Sequence, residues 1–160
     1  MKIIKSSNGQ DIQVNDCYYE YLSQFTWSIT GAGYAWSRMG LGRGSICMHK
    51  WIAEQEGLDT SNQIDHKDRN KLNNQASNLR PATQSQNMAN RSKWSGCSSD
   101  YKGVTWHKHN SKWYAQLMVN RKYVLAKYFK DEVEAAKAYD KAAFEHYGEF
   151  ATLNFPEDYQ

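Results

Sequence analysis

The 160-residue sequence predicts an α+β protein of two small modules joined by a short polar stretch. Three observations lead there. Asn8-Gly9 is a turn signal between Lys2–Lys5 and Ile12–Val14, so the chain opens on a β-hairpin. Apolar residues at 48, 51 and 52, followed by Gly57, fit a short helix. From Gly103 onward, three stretches alternate apolar and polar residues, and an alanine-rich helix follows them.

Between the hairpin and the first helix, Tyr18–Ser37 mixes aromatics with Gly31 and Gly33, which reads as a turn between strands. Gly40, Gly42 and Gly44 mark a flexible loop. Residues 1–62 therefore read as hairpin material leading into a helix over Ile46–Glu56. The segment 63–93 is rich in Asn, Gln and Asp, a composition usual for loops. Ile64, Leu72, Leu79 and Met88 stand in it as isolated apolar pegs, the pattern of a catalytic loop on a scaffold. Ser92–Asp100 is the best linker candidate. Beyond it, strands are expected over Gly103–Trp106, Lys112–Val119 and Tyr123–Phe129, with Asn120-Arg121-Lys122 as a tight connection. Asp131 and Glu134 form a capping box for the last helix. Ala135, Ala136, Ala138, Ala142 and Ala143 suggest close approach to a sheet, and Gly148 is a C-cap.

Composition narrows the function classes. The length suits one ordinary domain or two very small ones. Aromatic content of 14% lets large side chains thicken a small core. No apolar run approaches the roughly 20 residues that span a bilayer, so no membrane role is expected. Met1–Lys5 is not followed by a long apolar stretch, so a secretory signal is not expected either. Cys17, Cys47 and Cys97 are odd in number and form no C-x-x-C pair, which disfavours a zinc ribbon and suggests an intracellular, reducing compartment. Net charge is only +3, but residues 101–130 carry seven basic and no acidic residues, while 131–160 carry two and eight. One face turned to a polyanion would explain this, and so would a solvated two-faced surface.

The sharpest feature is Ile64-Asp65-His66, followed by Leu72-Asn73-Asn74, Asn78-Leu79-Arg80 and Asn87. Hydrolysing a phosphodiester needs a base, which a neutral histidine near pH 7 supplies. It also needs a cation to stabilise charge on the phosphorane and the leaving oxygen. Mg²⁺ or Mn²⁺ prefers oxygen ligands, and Asp65 with a side-chain amide oxygen could supply two. Neighbours on a strand face opposite ways, so Asp65 and His66 can serve one site only where the strand ends or bends. The Asn-rich run also reads as a solvated loop of Asx turns, and His49 as a packing residue.

These residues, with Met48-His49-Lys50 and Ser85-Gln86-Asn87, resemble the HNH endonuclease family over about 46–94. The resemblance implies a ββα-metal (His-Me finger) core, with His66 as general base and Asp65 and Asn87 as metal ligands. It makes Asn78 the residue that braces the loop and orients the base. It also implies a divalent cofactor, Mg²⁺ or Mn²⁺.

The C-terminal stretch has Tyr101-Lys102-Gly103-Val104, Ala138-Tyr139-Asp140-Lys141-Ala142-Ala143 and Leu153-Asn154-Phe155-Pro156. It is similar to the APETALA/ethylene-response-factor DNA-binding domain, which implies a three-stranded antiparallel sheet packed on one helix and laid on double-stranded DNA. The expected contacts are Lys102, Lys108, Lys112, Trp113, Gln116, Arg121, Lys122 and Lys127. Alternation alone leaves open whether the face with Trp113 or the face with Tyr114 and Gln116 meets the duplex. Thr105, Met118 and Val124 stand where the plant pattern has Arg or Trp, so the plant target sequence does not carry over.

The expected organisation is a nuclease domain over 1–94 with its N-terminal hairpin leader, a linker over 95–100, and a DNA-binding domain over 101–160. The combination resembles homing endonucleases of phages and mobile introns, which implies site-preferring cleavage leaving 5′-phosphate and 3′-hydroxyl ends. One active site per chain predicts a nick unless two chains act as a homodimer. The alternatives are a DNA-binding regulator with an inactive scaffold and a non-specific defence nuclease.

Overall fold

The computed structural model describes residues 1–38, 44–93 and 95–159. Its chain divides into two compact units, Met1–Thr83 and Gln84–Gln160, so the division falls ahead of the boundary expected at 94.

In the first unit, β1 (Lys2–Lys5) and β2 (Asp11–Val14) form the expected hairpin. A helix, α1 (Asp16–Leu22), follows where strand material was expected. Tyr18, Tyr19 and Leu22 lie three and four residues apart and pack on the core, so helical spacing prevails over the β-preference of tyrosine. Strands β3 (Ser28–Ile29), β4 (Ala35–Arg38) and β5 (Ser45–Cys47) make an antiparallel sheet in the order β3-β4-β5. The expected glycine loop falls largely outside the described residues.

Helix α2 (Met48–Gln55) ends at Gly57, whose φ of +67° is left-handed. Leu58 N–H donates to Ala53 O and Gly57 N–H to Glu54 O, which is the Schellman closure and favours glycine there. Strands β6 (Gln63–His66) and β7 (Leu79–Ala82) then pair antiparallel. Ile4, Ile12, Val14, Leu22, Trp27, Met48, Ile52, Ile64 and Leu79 form one buried core among these elements. Trp27 is fully buried and its indole N–H donates to Leu22 O at 2.8 Å, so its polar atom is satisfied.

The second unit begins with α3 (Gln84–Ala89). Strands β8 (Val104–His107), β9 (Lys112–Val119) and β10 (Lys122–Phe129) form an antiparallel sheet in the order β10-β9-β8. Helix α4 (Glu132–Tyr147) is capped by Asp131, whose carboxylate accepts from Glu134 N–H at 2.8 Å. Its Ala135 and Ala136 pack on Val104 and Ala115. Gly103 has φ +76°, and a Cβ there would lie 2.0 Å from the Tyr139 ring, so only glycine lets β8 begin so close to α4. Asp140 is fully buried and accepts from Asn154 N–H, the Asn154 side-chain amide and Phe155 N–H at 2.8–2.9 Å. The Tyr-Asp and Asn-Phe motifs are therefore two halves of one lock.

The stretch expected to be a free linker is partly tied down. Ser99 is buried and donates to Glu132 Oε1 at 2.7 Å, and Ser98 Oγ accepts from Trp106 N–H at 2.8 Å. Among the described residues no helix is long and apolar enough to cross a membrane.

Candidate active site and nucleic-acid face

His66 is the last residue of β6, so the chain turns away directly behind it. Arg69 N–H donates to His66 O at 2.9 Å and closes that turn. The strand thus ends where Asp65 and His66 would have to serve one site. Asp65 and His66 are both buried. Asp65 faces Arg80 across the hairpin, and Arg80 Nε donates to its Oδ2 at 3.0 Å. The pair is almost wholly out of water, so removing either partner would leave a buried charge.

The imidazole is held from several sides. His66 Nε2 lies 3.3 Å from Asn74 Oδ1. Asn74 is fully buried, and its side-chain NH₂ donates to Lys71 O, which fixes the amide so that its oxygen faces the ring. A proton on Nε2 makes this contact a hydrogen bond to Asn74 Oδ1 and leaves the lone pair on Nδ1. The His66 ring is 5.4 Å from the His49 ring and 5.9 Å from the Tyr34 ring, centroid to centroid. Burial pulls the His66 pKa below its ordinary value, outweighing the bond to Asn74 and the nearby Asp68 and Asp65 carboxylates, which act the other way. His49 is pushed down to about 3, first by burial and then by His66 and Lys50. Both rings are neutral at pH 7.

The loop between β6 and β7 is pinned by its own side chains. Asn78 donates to Asp68 Oδ1 at 2.9 Å and to Asn73 O at 2.8 Å, and its side-chain oxygen accepts from Asp68 N–H at 3.0 Å. Burial would raise the Asp68 carboxyl pKa, but bonds from Asn73, Asn70 and Asn78 bring it below the usual carboxylate value. The leader hairpin also holds this loop. Gln13 N–H donates to Leu72 O, Asn74 N–H donates to Gln13 O, and Asn15 Oδ1 accepts from Ala76 N–H, at 2.7–2.8 Å.

The first unit thus brings together Asp65, His66 and Asn78, and adds Asn74, His49, Tyr34 and Arg80. Sequence reasoning assigned these four no catalytic role. Arg80 has a signal, its cross-strand register with Asp65, whereas Asn74 has none beyond its place in the Asn-rich run. Asn87 belongs to the second unit, on α3, which is anchored there by a 2.9 Å hydrogen bond between the Ser85 and Tyr147 hydroxyls. Among the described residues no group of three or more His, Cys, Asp or Glu could hold a metal. A carboxylate with side-chain amides is a hard, oxygen-only donor set of the kind a divalent cation takes.

On the second unit's sheet, Ala115 is buried toward α4, and Trp113 and Leu125 pack with it. Trp113, expected among the DNA contacts, thus lies half-buried on the helix side of the sheet. The opposite face carries Tyr114, Gln116 and Met118 of β9, with Thr105 and Tyr128 in register beside Tyr114. Lys112 shares that outer face by alternation. Lys108, Arg121 and Lys122 are exposed at the turns. Lys127 pairs with Ala115 on the helix side and sets its ammonium 5.4 Å from the Phe129 ring. Lys102 is drawn inward, with its N–H donating to Asn154 Oδ1 and its ammonium to Ala89 O.

The family model described as HNH endonuclease matches residues 47–89. Uncharacterized HNH endonuclease L560 of Acanthamoeba polyphaga mimivirus is 36% identical over 136 residues, covering 83% of this chain and 68% of that protein. APETALA2-like protein 2 of Oryza sativa subsp. indica is 43% identical over 60 residues, 36% of this chain but only 14% of the plant protein. Ethylene-responsive transcription factor WRI1 of Arabidopsis thaliana is 41% identical over 59 residues, again 14% of its length. No solved structure matches the chain. With a relative this similar along most of both chains, and a family match that contains the whole His66 hairpin, the chain belongs to the HNH endonuclease family.

Proposed function

We propose that this protein is a divalent-metal-dependent DNA endonuclease that nicks one strand at the His66 site. The observation that carries the reading is a buried, neutral His66 whose Nε2–H is fixed by Asn74, leaving Nδ1 as the base. His66 Nδ1 takes a proton from water as that water's oxygen bonds to phosphorus. The bond to the 3′ oxygen breaks, leaving a 5′-phosphate and a 3′-hydroxyl that takes its proton from solvent. Asp68 and Asn78 keep the loop from moving, so the base does not have to be reoriented during reaction. Asp65 would be a ligand for Mg²⁺ or Mn²⁺, and Asn87 is proposed as the second ligand on its place within the matched segment alone. When bound, the cation supplies positive charge to the phosphorane and the leaving oxygen.

The second unit is a DNA-holding module in this reading. Lys108, Lys112, Arg121 and Lys122 meet phosphates, and Gln116 meets base edges. The plant relatives and the basic run over 101–130 support it. Contacts of the first kind position, while the second kind specifies. Without a guanidinium or ammonium fork at the centre of the face, strong guanine selection is not expected there. Site-preferring cleavage of the homing type inside a cell is the corresponding biological role, with a double-strand cut requiring a second copy.

A supercoiled-plasmid assay tests the catalytic assignment. Wild type with Mg²⁺ should give relaxed circles, and a chelator should abolish them. His66→Ala should lose about 10²- to 10⁴-fold in rate, the usual contribution of a general base. Undiminished cutting by His66→Ala would remove His66 as the base, and a shifted but uncut plasmid under every condition would favour a DNA-binding regulator.

A further inference from the structure

We propose that a groove beside the His66 turn seats the backbone of the strand being cut, with Arg69 and Lys71 on its phosphates. This rests on the nuclease reading above. The groove, of about 570 Å³, lies wholly in the first unit. It opens between the β1–β2 turn, the β3–β4 turn and the loop after β6. Its described lining contains Arg69 and Lys71 and no Asp or Glu, while the remaining polar groups are neutral amides and a hydroxyl. Such a surface attracts a polyanion and offers hydrogen bonds without repelling it.

The wall of the groove is physically continuous with the base. Arg69 N–H donates to the carbonyl of His66, so its place in the wall is set by the catalytic residue itself. Lys71 Nζ donates to Ala32 O at 2.6 Å and lies 4.6 Å over the Tyr34 ring, which in turn neighbours the His66 ring at 5.9 Å. A strand lying in the groove would therefore run past Tyr34 toward the His66 ring. Arg69 also holds a left-handed φ of +66°, where glycine or asparagine would fit with less strain. A long cation kept in an unfavourable backbone conformation beside a reactive group is the pattern of a residue placed for a ligand.

The test uses the full chain, Mg²⁺ and supercoiled plasmid, with KM and kcat measured over a range of salt. Arg69→Gly removes the charge and suits the backbone, so loss of folding does not confound it. KM should rise roughly tenfold, as for losing one charge-assisted hydrogen bond. The salt dependence of KM should become shallower by about one power, with kcat kept. Arg69→Lys should restore most of the salt dependence. Lys5→Gln, an equal loss of charge elsewhere on the unit, should leave KM in place. Wild-type KM and salt slope in both Arg69→Gly and Arg69→Gln would overturn the proposal while the nuclease reading stood. A wild type that never cuts would bring down both.

Discussion

Asn74 and His66 are eight residues apart, and the amide oxygen of one lies 3.3 Å from Nε2 of the other. Asn74 has almost no freedom there, because its own backbone N–H is bonded to Gln13 of the leader hairpin and its side-chain NH₂ to Lys71 O. The tautomer of the base is thus fixed by a strand near the N-terminus. In the proposed mechanism the hairpin therefore supports the base, although it contributes no reacting group.

Asn74→Ala should lower kcat by about tenfold to a hundredfold with little change in KM, since it frees the ring without removing it. Asn74→Asp gives the sharper readout. A carboxylate there favours the imidazolium, so the His66 pKa rises. The reaction needs the neutral ring, so the acid limb of the pH–rate profile should move to higher pH. An unmoved limb would separate Asn74 from the base.

His49 should make the first unit sensitive to acid. Its pKa is about 3 in the folded protein, against an ordinary value of 6.5. Between those values the unfolded chain binds the extra proton, so stability is full above about pH 6.5 and falls as pH drops. The slope from this one group is at most about 1.4 kcal/mol per pH unit. His66, also depressed, acts in the same direction. His49→Phe keeps a ring against Tyr34 and cannot titrate. Urea unfolding at pH 7 and pH 5 should show a smaller loss for the variant, and equal losses would discount the effect.

Asp140→Ala should destabilise the second unit by roughly 2–3 kcal/mol, because three half-buried donors on Asn154 and Phe155 lose this acceptor. Burial raises the Asp140 carboxyl pKa in spite of the three donors, so the native carboxylate is itself under tension. Hydrogen exchange at the Asn154 and Phe155 amides is the direct measurement. Protection that survives the substitution would show that Asp140 is not what holds Asn154 and Phe155 in place.

How far these features were legible in the sequence differs between the two units. In the second, alternation over β9 and β10, the Asp131–Glu134 cap and the alanines of α4 are all local signals, and each element lies close to where they place it. In the first, Asp65, His66 and Asn78 stand out by residue type and spacing. The Asn74 contact and the His49–Tyr34–His66 cluster do not, because loop closure and helix docking set them rather than periodicity. Helix α1 was hidden for a related reason: tyrosines that favour strands one by one make a helix when their spacing meets the core.

In the proposed function the two faces of the β8–β10 sheet divide stability from recognition. Trp113 packs on the helix side against Trp106 at 5.0 Å and joins the core with Ala115 and Leu125. Gln116 is exposed on the opposite face. Trp113→Ala should therefore lower the melting temperature, by an amount set by a cost of up to about 3–5 kcal/mol for truncating a large core side chain. Gln116→Ala should leave melting unchanged and alter the preference among duplexes, since a side-chain amide reads base edges. Arg121→Gln with Lys122→Gln should weaken binding to all duplexes alike and reduce the salt slope by about two. Thermal unfolding and fluorescence anisotropy on A·T-rich and G·C-rich duplexes, both in chelator, make the comparison. If Trp113→Ala lost DNA affinity with its melting temperature intact, the duplex would have to lie on the helix side, and the assignment of faces would be reversed.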